Sequence, residues 1–286
     1  NYILHFIDLP GTYSLTPFSL EEKISRDFLF TQRPDVVLCV VDSTNLERNL
    51  FFVLQLMELE IPMVVALNMF DEARKLGYRF NINLLEELLG VKVVPTVATR
   101  GEGVDKIKEL VIEVYEKRRT PKDLFYGEDL ERIITQVRSH LLLLNPQMDE
   151  KALNKGIILK VLEGDEELLE KLGIKYDKNL IKSYLQHIER VHGEDFEEFL
   201  TEVRYGIAAG VVRQVLSTPE IKKITLTERI DSILLNRYLG IPIFLVMMWL
   251  LFKLAFDIAN PYVDFLDETI NKYFTSWAKA GLEAIG

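Results

Sequence analysis

Cysteine is almost absent: Cys39 is the one thiol in 286 residues. That excludes an internal disulfide framework and a zinc site built on several cysteines. A basic surplus is also lacking. The chain has 44 acidic against 34 basic side chains, a net charge of −10. A general nucleic-acid binder normally shows the opposite balance, so no nucleic acid is expected as a partner. Internal repeats and low-complexity tracts are missing. Residues 2–7 are apolar but have neither a basic lead nor a cleavage site, so they do not read as a secretory signal. No glycine is followed by lysine, so the phosphate-cradling Gly-x-x-x-x-Gly-Lys-Ser/Thr loop is not in the chain. The chain opens on Asn1, directly into the apolar run, and reads as a piece of a longer protein.

What is present is enough apolar material for a core. Apolar residues make up 48% and charged residues 27%, which excludes a long disordered chain. The length suits about two domains. Four short runs rich in Val, Ile and Leu lie at 2–7, 36–41, 63–67 and 91–97. They have strand length, and most are apolar throughout, as strands covered on both faces are. Between them the spacing is helical. Leu46, Leu50, Val53, Leu54 and Met57 make one face; Val104, Ile107, Leu110, Val111 and Val114 make another. Asp42-Ser43-Thr44 and Asn83 are candidate caps. Residues 1–122 are therefore expected to form a doubly wound α/β domain, which binds ligands at the carboxyl ends of its strands.

Three motifs sit at those expected ends: Asp8-Leu9-Pro10-Gly11, Asn68-Met69-Phe70-Asp71 and Ala98-Thr99-Arg100-Gly101. An Asp at a strand end can hold a metal-bound water. A Gly after it offers a backbone N–H to a phosphate oxygen with no side chain in the way. An Asn and an Asp three residues apart can present an amide and a carboxylate to a base edge. The carboxylate accepts from two N–H groups, which guanine offers and adenine does not. The small third loop can bring its backbone N–H groups to a base carbonyl. Each motif alone is a common turn. Three in this order, each after a strand-like run, are far more specific.

With these motifs the chain resembles a Ras-like GTPase, and more narrowly the bacterial ferrous iron transport protein B (FeoB) family. The resemblance rests on Asp8-Leu9-Pro10-Gly11-Thr12-Tyr13-Ser14-Leu15, on Asn68-Met69-Phe70-Asp71, on Thr99-Arg100-Gly101-Glu102-Gly103, and on Leu234-Leu235-Asn236-Arg237-Tyr238-Leu239-Gly240-Ile241-Pro242. It implies GTP/GDP as ligand and Mg²⁺ held by Asp8 through water. Gly11 would sense the γ-phosphate, and Asn68, Met69 and Asp71 would meet the base. Ala98, Thr99 and Arg100 would line the remaining loop. Many GTPases carry Lys where Met69 stands, and the family shares that departure. The resemblance also implies K⁺ stimulation, Fe²⁺ as the transported ion, further membrane helices beyond Gly286, and room for a second copy as partner. The phosphate loop and the switch threonine would precede Asn1, so residues 1–286 alone are expected to bind GTP weakly. The place of the usual water-orienting Gln holds Thr12, which suggests slow turnover. Residues 12–33, with Phe18, Leu20, Ile24, Phe28 and Phe30, are placed to act as a switch.

Residues 123–217 carry helical stripes (Ile181, Leu185, Ile188, Val191; Phe196, Phe199, Leu200, Val203, Ile207) and little strand signal, so an all-α domain is expected. His187 and His192 read as surface or capping residues, and Glu163, Asp165, Glu166 and Glu167 as a solvated face. Residues 218–286 read as a membrane-entry segment. The run 239–256 holds one charge, Lys253, and a transmembrane helix is expected at about 239–258. Lys222, Lys223, Arg229 and Arg237 precede it, while Asp257, Asp264, Asp267 and Glu268 follow. That bias puts residues 1–235 in the cytoplasm, at the inner (plasma) membrane. Residues 261–286 are expected to form an interfacial helix on the far side. Two other readings stand beside this one. One is a soluble GTPase of assembly or signalling type with 239–256 as a buried helix. The other is a membrane-tethered module with no transport role.

Overall fold

The computed structural model describes residues 2–12, 14–16, 19–217, 234 and 240–283. Tyr13, Pro17 and Phe18 of the expected switch, and Lys222, Lys223, Arg229 and Arg237 before the apolar run, lie outside these. Residues 1–220 form one compact unit and 221–286 a second.

In the first unit, helix α1 (Leu20–Gln32) starts at a capping box in which Ser19 and Glu22 satisfy each other's backbone N–H groups. Strand β1 (Val37–Asp42) follows, then α2 (Leu46–Met57), β2 (Met63–Asn68), α3 (Phe70–Lys75), the two-residue strand β3 (Arg79–Phe80), α4 (Ile82–Leu89), β4 (Lys92–Pro95) and α5 (Val104–Lys117). Strands β1, β2 and β4 lie side by side in that order, all parallel. Alternation along β2 explains its unbroken apolar sequence. Met63, Val65 and Leu67 face one cluster together with α2 and α4 residues; Val64 and Ala66 face a second with Ile107, Leu110, Val111 and Val114 of α5. A sheet covered on both faces was the expectation.

Residues 2–7 do not bear out the expected first strand. They are irregular and mostly exposed, and only Leu4 packs against the α5 cluster. An apolar run becomes strand only when a neighbour completes its hydrogen-bond ladder. No such neighbour stands among the described residues, and the segment's one described side-chain hydrogen bond runs from the Tyr2 hydroxyl to Glu116.

The helical part comprises α6 (Glu128–Leu144), α7 (Lys155–Glu163), α8 (Glu166–Lys171), α9 (Lys178–His192) and α10 (Phe196–Val215). It ends in β5 (Leu216–Ser217), which pairs antiparallel with β3. Its core is continuous with that of the α/β part. At the junction the buried Glu58 carboxylate, at the end of α2, accepts from Arg204 Nε at 2.8 Å and Nη2 at 2.7 Å and from the Tyr126 hydroxyl. Breaking such a buried pair costs several kcal/mol, roughly 3–5, so the two parts hold together tightly.

In the second unit one helix runs over Gly240–Glu283. Its stretch Gly240–Ile270 is long and apolar enough to cross a membrane, with a mean hydropathy of 2.1. None of its most apolar window is buried. That removes the main support for a buried soluble helix. The helix also continues through Pro261 without the expected separation into a span and an interfacial helix.

Candidate guanine-nucleotide site

The residues expected to meet the base are brought together by the ends of β2 and β4. Asn68 closes β2 and lies level with Asp42 of β1. The buried Ser43 donates its hydroxyl to the Asn68 carbonyl at 2.6 Å, and the Asn68 Oδ1 accepts from the Ala98 N–H at 3.0 Å. This fixes the amide orientation and leaves its NH₂ as the donor end. Met69 is left-handed (φ 56°) and half exposed, turning the chain from strand into α3. Phe70 donates its N–H to the Thr96 carbonyl at 3.2 Å, tying the start of α3 to the end of β4. Asp71 follows in the first turn, where its charge suits the helix N-terminus.

Ala98, Thr99 and Arg100 form a 3-10 turn closed by left-handed Gly101. Glu102 and Val97 exchange backbone hydrogen bonds across it. Gly103 (φ +85°) is demanded by space: a Cβ there would lie 2.6 Å from the Pro95 carbonyl oxygen. Arg100 reaches back to Asp71, Nη2 to Oδ2 at 3.4 Å. Asp71, Arg100, Glu102 and Val97 line a cleft of about 260 Å³ with Phe70, Arg74, Pro95 and Thr96.

Asp8 and Gly11 stand apart from this cluster. Both are exposed, in the irregular segment, and no described contact ties them to the base-side residues. The loop is held instead by Ser25, whose hydroxyl donates to the Pro10 carbonyl at 2.9 Å, and by Gln55, whose Oε1 accepts from the Leu15 N–H at 2.7 Å. Thr12 donates its hydroxyl to the Ser14 carbonyl at 2.6 Å, closing a local turn. Among the described residues no group of three or more His, Cys, Asp or Glu side chains gathers to cage a metal. A lone exposed carboxylate does fit Mg²⁺, which keeps most of its waters and takes one or two carboxylates plus phosphate oxygens.

Several contacts were not legible from motifs. Arg26, almost fully buried, donates to Asp27 and, at 2.6 Å, to Asp165, the N-cap of α8. Lys23 and Lys171 pair with Glu167, and Lys171 with Asp27. Of the expected solvated face, Asp165 and Glu167 instead receive α1, Glu163 pairs with the buried Lys160 and Arg204, and Glu166 is exposed and paired with Lys178. The available signal was Arg26 itself, a charge on the stripe it shares with buried Leu29 and Phe30. His187 and His192 both meet Asp129, at 3.2 and 3.4 Å, joining α9 to α6.

A family model described as ferrous iron transport protein B matches residues 1–111, and one described as the FeoB cytosolic helical domain matches 126–217. The chain is 36% identical over 299 residues to an Fe(2+) transport protein A/Fe(2+) transporter FeoB fusion protein of Porphyromonas gingivalis, covering 100% of this chain and 34% of that protein. It is 34% identical over 264 residues to the Fe(2+) transporter FeoB of Escherichia coli, covering 89% and 32%. The chain thus spans about a third of the length of these relatives. A GDP-bound mutant of S. thermophilus NFeoB superposes with a TM-score of 0.65 at 32% identity, over 73% of this chain and 80% of that one. The cytosolic domain of T. maritima FeoB in its GMPPNP form superposes with 0.59 at 30% identity, over 73% and 79%.

Proposed function

This chain belongs to the ferrous iron transport protein B family, and from that premise we propose that it binds and hydrolyses GTP as the cytoplasmic part of an Fe²⁺ transporter, gating uptake. The guanine base would lie against Asn68, Met69 and Asp71 on one side and Ala98, Thr99 and Arg100 on the other. Asp71 would accept from the two N–H groups of the base, and the Ala98–Arg100 turn would meet its carbonyl. Asp8 would hold Mg²⁺ through water and Gly11 would meet the γ-phosphate. Mg²⁺ when bound supplies charge neutralisation at the phosphates; the chain's own residues orient the base and carry the loop that follows Gly11. K⁺ would stimulate turnover.

One observation supports the reading above all: the Asn68 Oδ1 accepts from the Ala98 N–H, which ties the end of β2 to the turn after β4, beside a cleft lined by Asp71 and Arg100. The Gly240–Ile270 helix supports anchoring in the inner membrane, with residues 1–235 on the cytoplasmic side and further membrane helices, or a second copy, as partners. A single span lined with no protein partner cannot pass an ion, so no residue of this chain is assigned to Fe²⁺. The test is Fe²⁺ uptake by the full-length protein in an uptake-deficient host, with GDP binding measured in parallel. Uptake abolished by Asp71→Ala together with loss of GDP binding is expected. Uptake that persists without nucleotide binding would overturn the proposal.

A further inference from the structure

The α3 helix that carries Asp71 is braced by an aromatic pair that leads away from the nucleotide site. The Phe70 ring, nearly buried between Met69 and Asp71, packs on Phe80 of β3 with centroids 5.2 Å apart. Tyr78 meets Phe80 edge-on at 6.5 Å, and the Arg74 guanidinium covers Phe70 at 4.8 Å from its centroid. Phe80 in turn is level with Leu216, and Arg79 with Ser217, in the β3–β5 ladder. A third link, from the Asn81 N–H to the Val215 carbonyl at 2.8 Å, extends the pairing by one step. Leu216 and Ser217 are the last described residues before the segment that leads to the apolar helix. A two-residue strand pair contributes little stability alone. Here Phe80 of the pair is also packed by Phe70 and Tyr78.

We propose that Phe80 is a positioning residue for guanine recognition, acting on Asp71 through Phe70, and that the β3–β5 ribbon thereby links occupancy of the base site to the exit strand of the helical part. The proposal rests on the guanine reading of Asp71 above. Linkage is reciprocal: if fixing the ribbon favours the base, the bound base fixes the ribbon by the same factor. GTP and GDP carry the same base, so this path reports whether nucleotide is bound and is blind to hydrolysis. That separates it from the loop after Gly11, which follows the phosphates.

The experiment uses the full-length protein and compares GDP with IDP, whose base lacks the 2-amino group and so forgoes one bond to Asp71. Phe80→Ala is expected to weaken GDP roughly two- to tenfold, the scale of an aromatic pair. IDP should weaken less, so the GDP/IDP preference falls, and Phe80→Tyr should restore it. A purely structural role would weaken both ligands equally and leave the preference intact; that result overturns the proposal. The second arm is Arg79→Cys with Ser217→Cys. Directly opposed antiparallel positions lie within disulfide reach. Oxidation should slow GDP release at least severalfold, and reduction should reverse it. Release that ignores a formed crosslink, or a crosslink that fails to form under oxidant, overturns the linkage. Wild-type protein with no preference for GDP over IDP would sink the guanine reading itself, which keeps the two failures distinguishable.

Discussion

Replacing Asp71 by Asn tests the base-side geometry with a change of a few atoms. The carboxylate presents two acceptors, matching N1–H and the 2-amino group of guanine. In Asp71→Asn one oxygen remains for N1–H, now neutral, while an NH₂ faces the 2-amino group. A hydrogen bond to a charged group is worth about 1.5–3 kcal/mol, and an unsatisfied donor costs about 1–3 kcal/mol more. The combined loss for GDP is about 3–5 kcal/mol, roughly 10²–10⁴ in affinity. Loss of the Arg100 pair cannot account for that. Arg100 is largely exposed and its contact is 3.4 Å long, and such surface pairs contribute about 0–1 kcal/mol. Xanthine nucleotide supplies the control, because its 2-oxo group accepts from the new NH₂ while its N1–H still donates. Equilibrium binding of GDP and XDP to the full-length protein is the assay. The preference should invert. If GDP binds Asp71→Asn within severalfold of wild type, Asp71 does not face the base, and the assignment of Asn68, Met69 and the Ala98–Arg100 turn falls with it.

Gly103→Ala should destabilise residues 1–220 by more than about 1 kcal/mol, since its φ is +85° and the new methyl would strike the Pro95 carbonyl; a urea melt that does not shift would refute this. Arg26→Ala leaves Asp165 and Asp27 facing each other with one cation fewer, and should cost about 3 kcal/mol by the same melt, the low end for a buried pair because both carboxylates keep some solvent. Burial alone would raise the Asp27 carboxyl, but hydrogen bonds from Lys171 and Arg26 hold it below the usual carboxylate range; Glu167 is held at about 2 by hydrogen bonds from Lys171 and Lys23. A folded pKa below the unfolded one gives stability that is present above the unfolded value and lost as pH falls through the folded value. The α1–α8 contact should therefore loosen from about pH 4.5 down towards 2, read by hydrogen exchange in α1, and Glu167→Gln should blunt that dependence. Thr12→Ala should leave GTP turnover within severalfold of wild type, because the hydroxyl is occupied by Ser14; a hundredfold drop would make Thr12 a participant.

Local periodicity exposed the parallel sheet because each of its three strands carries its own apolar run and each covering helix its own stripe. Asn68, Asp71 and Ala98 were legible for a related reason. Turns that follow strands bring motif residues to one sheet end whatever the intervening chain does. Residues 2–7 show where this reasoning stops: their composition is strand-like, but a strand depends on a neighbour that no local pattern reveals. Strand β3, two residues long, fell below any periodic signal, and its partner Leu216–Ser217 is 136 or more positions away in sequence. Asp165 of the acidic run 163–167 was misread as solvated because its partner Arg26 is 139 positions away in sequence.

These remote contacts sort by the part of the nucleotide they would neighbour. Helix α1 begins a few residues after Gly11 and docks on α8 through Arg26 and Asp165. Helix α2 receives the same loop at Gln55, and at its end Glu58 is held by Arg204 and Tyr126. Helix α3 begins at the base motif and reaches the exit strand through Phe70 and Phe80. The helical part therefore holds the two helices that receive the loop after Gly11 by buried ionic contacts, and meets β3, on which Phe70 packs, through the β3–β5 pairing. Ionic contacts with buried groups have sharp geometric demands and lose much when displaced. An aromatic pair contributes less, about 0.5–1.5 kcal/mol beyond its buried area. The arrangement suits a strong hold on the phosphate side and a weaker brace on the base side.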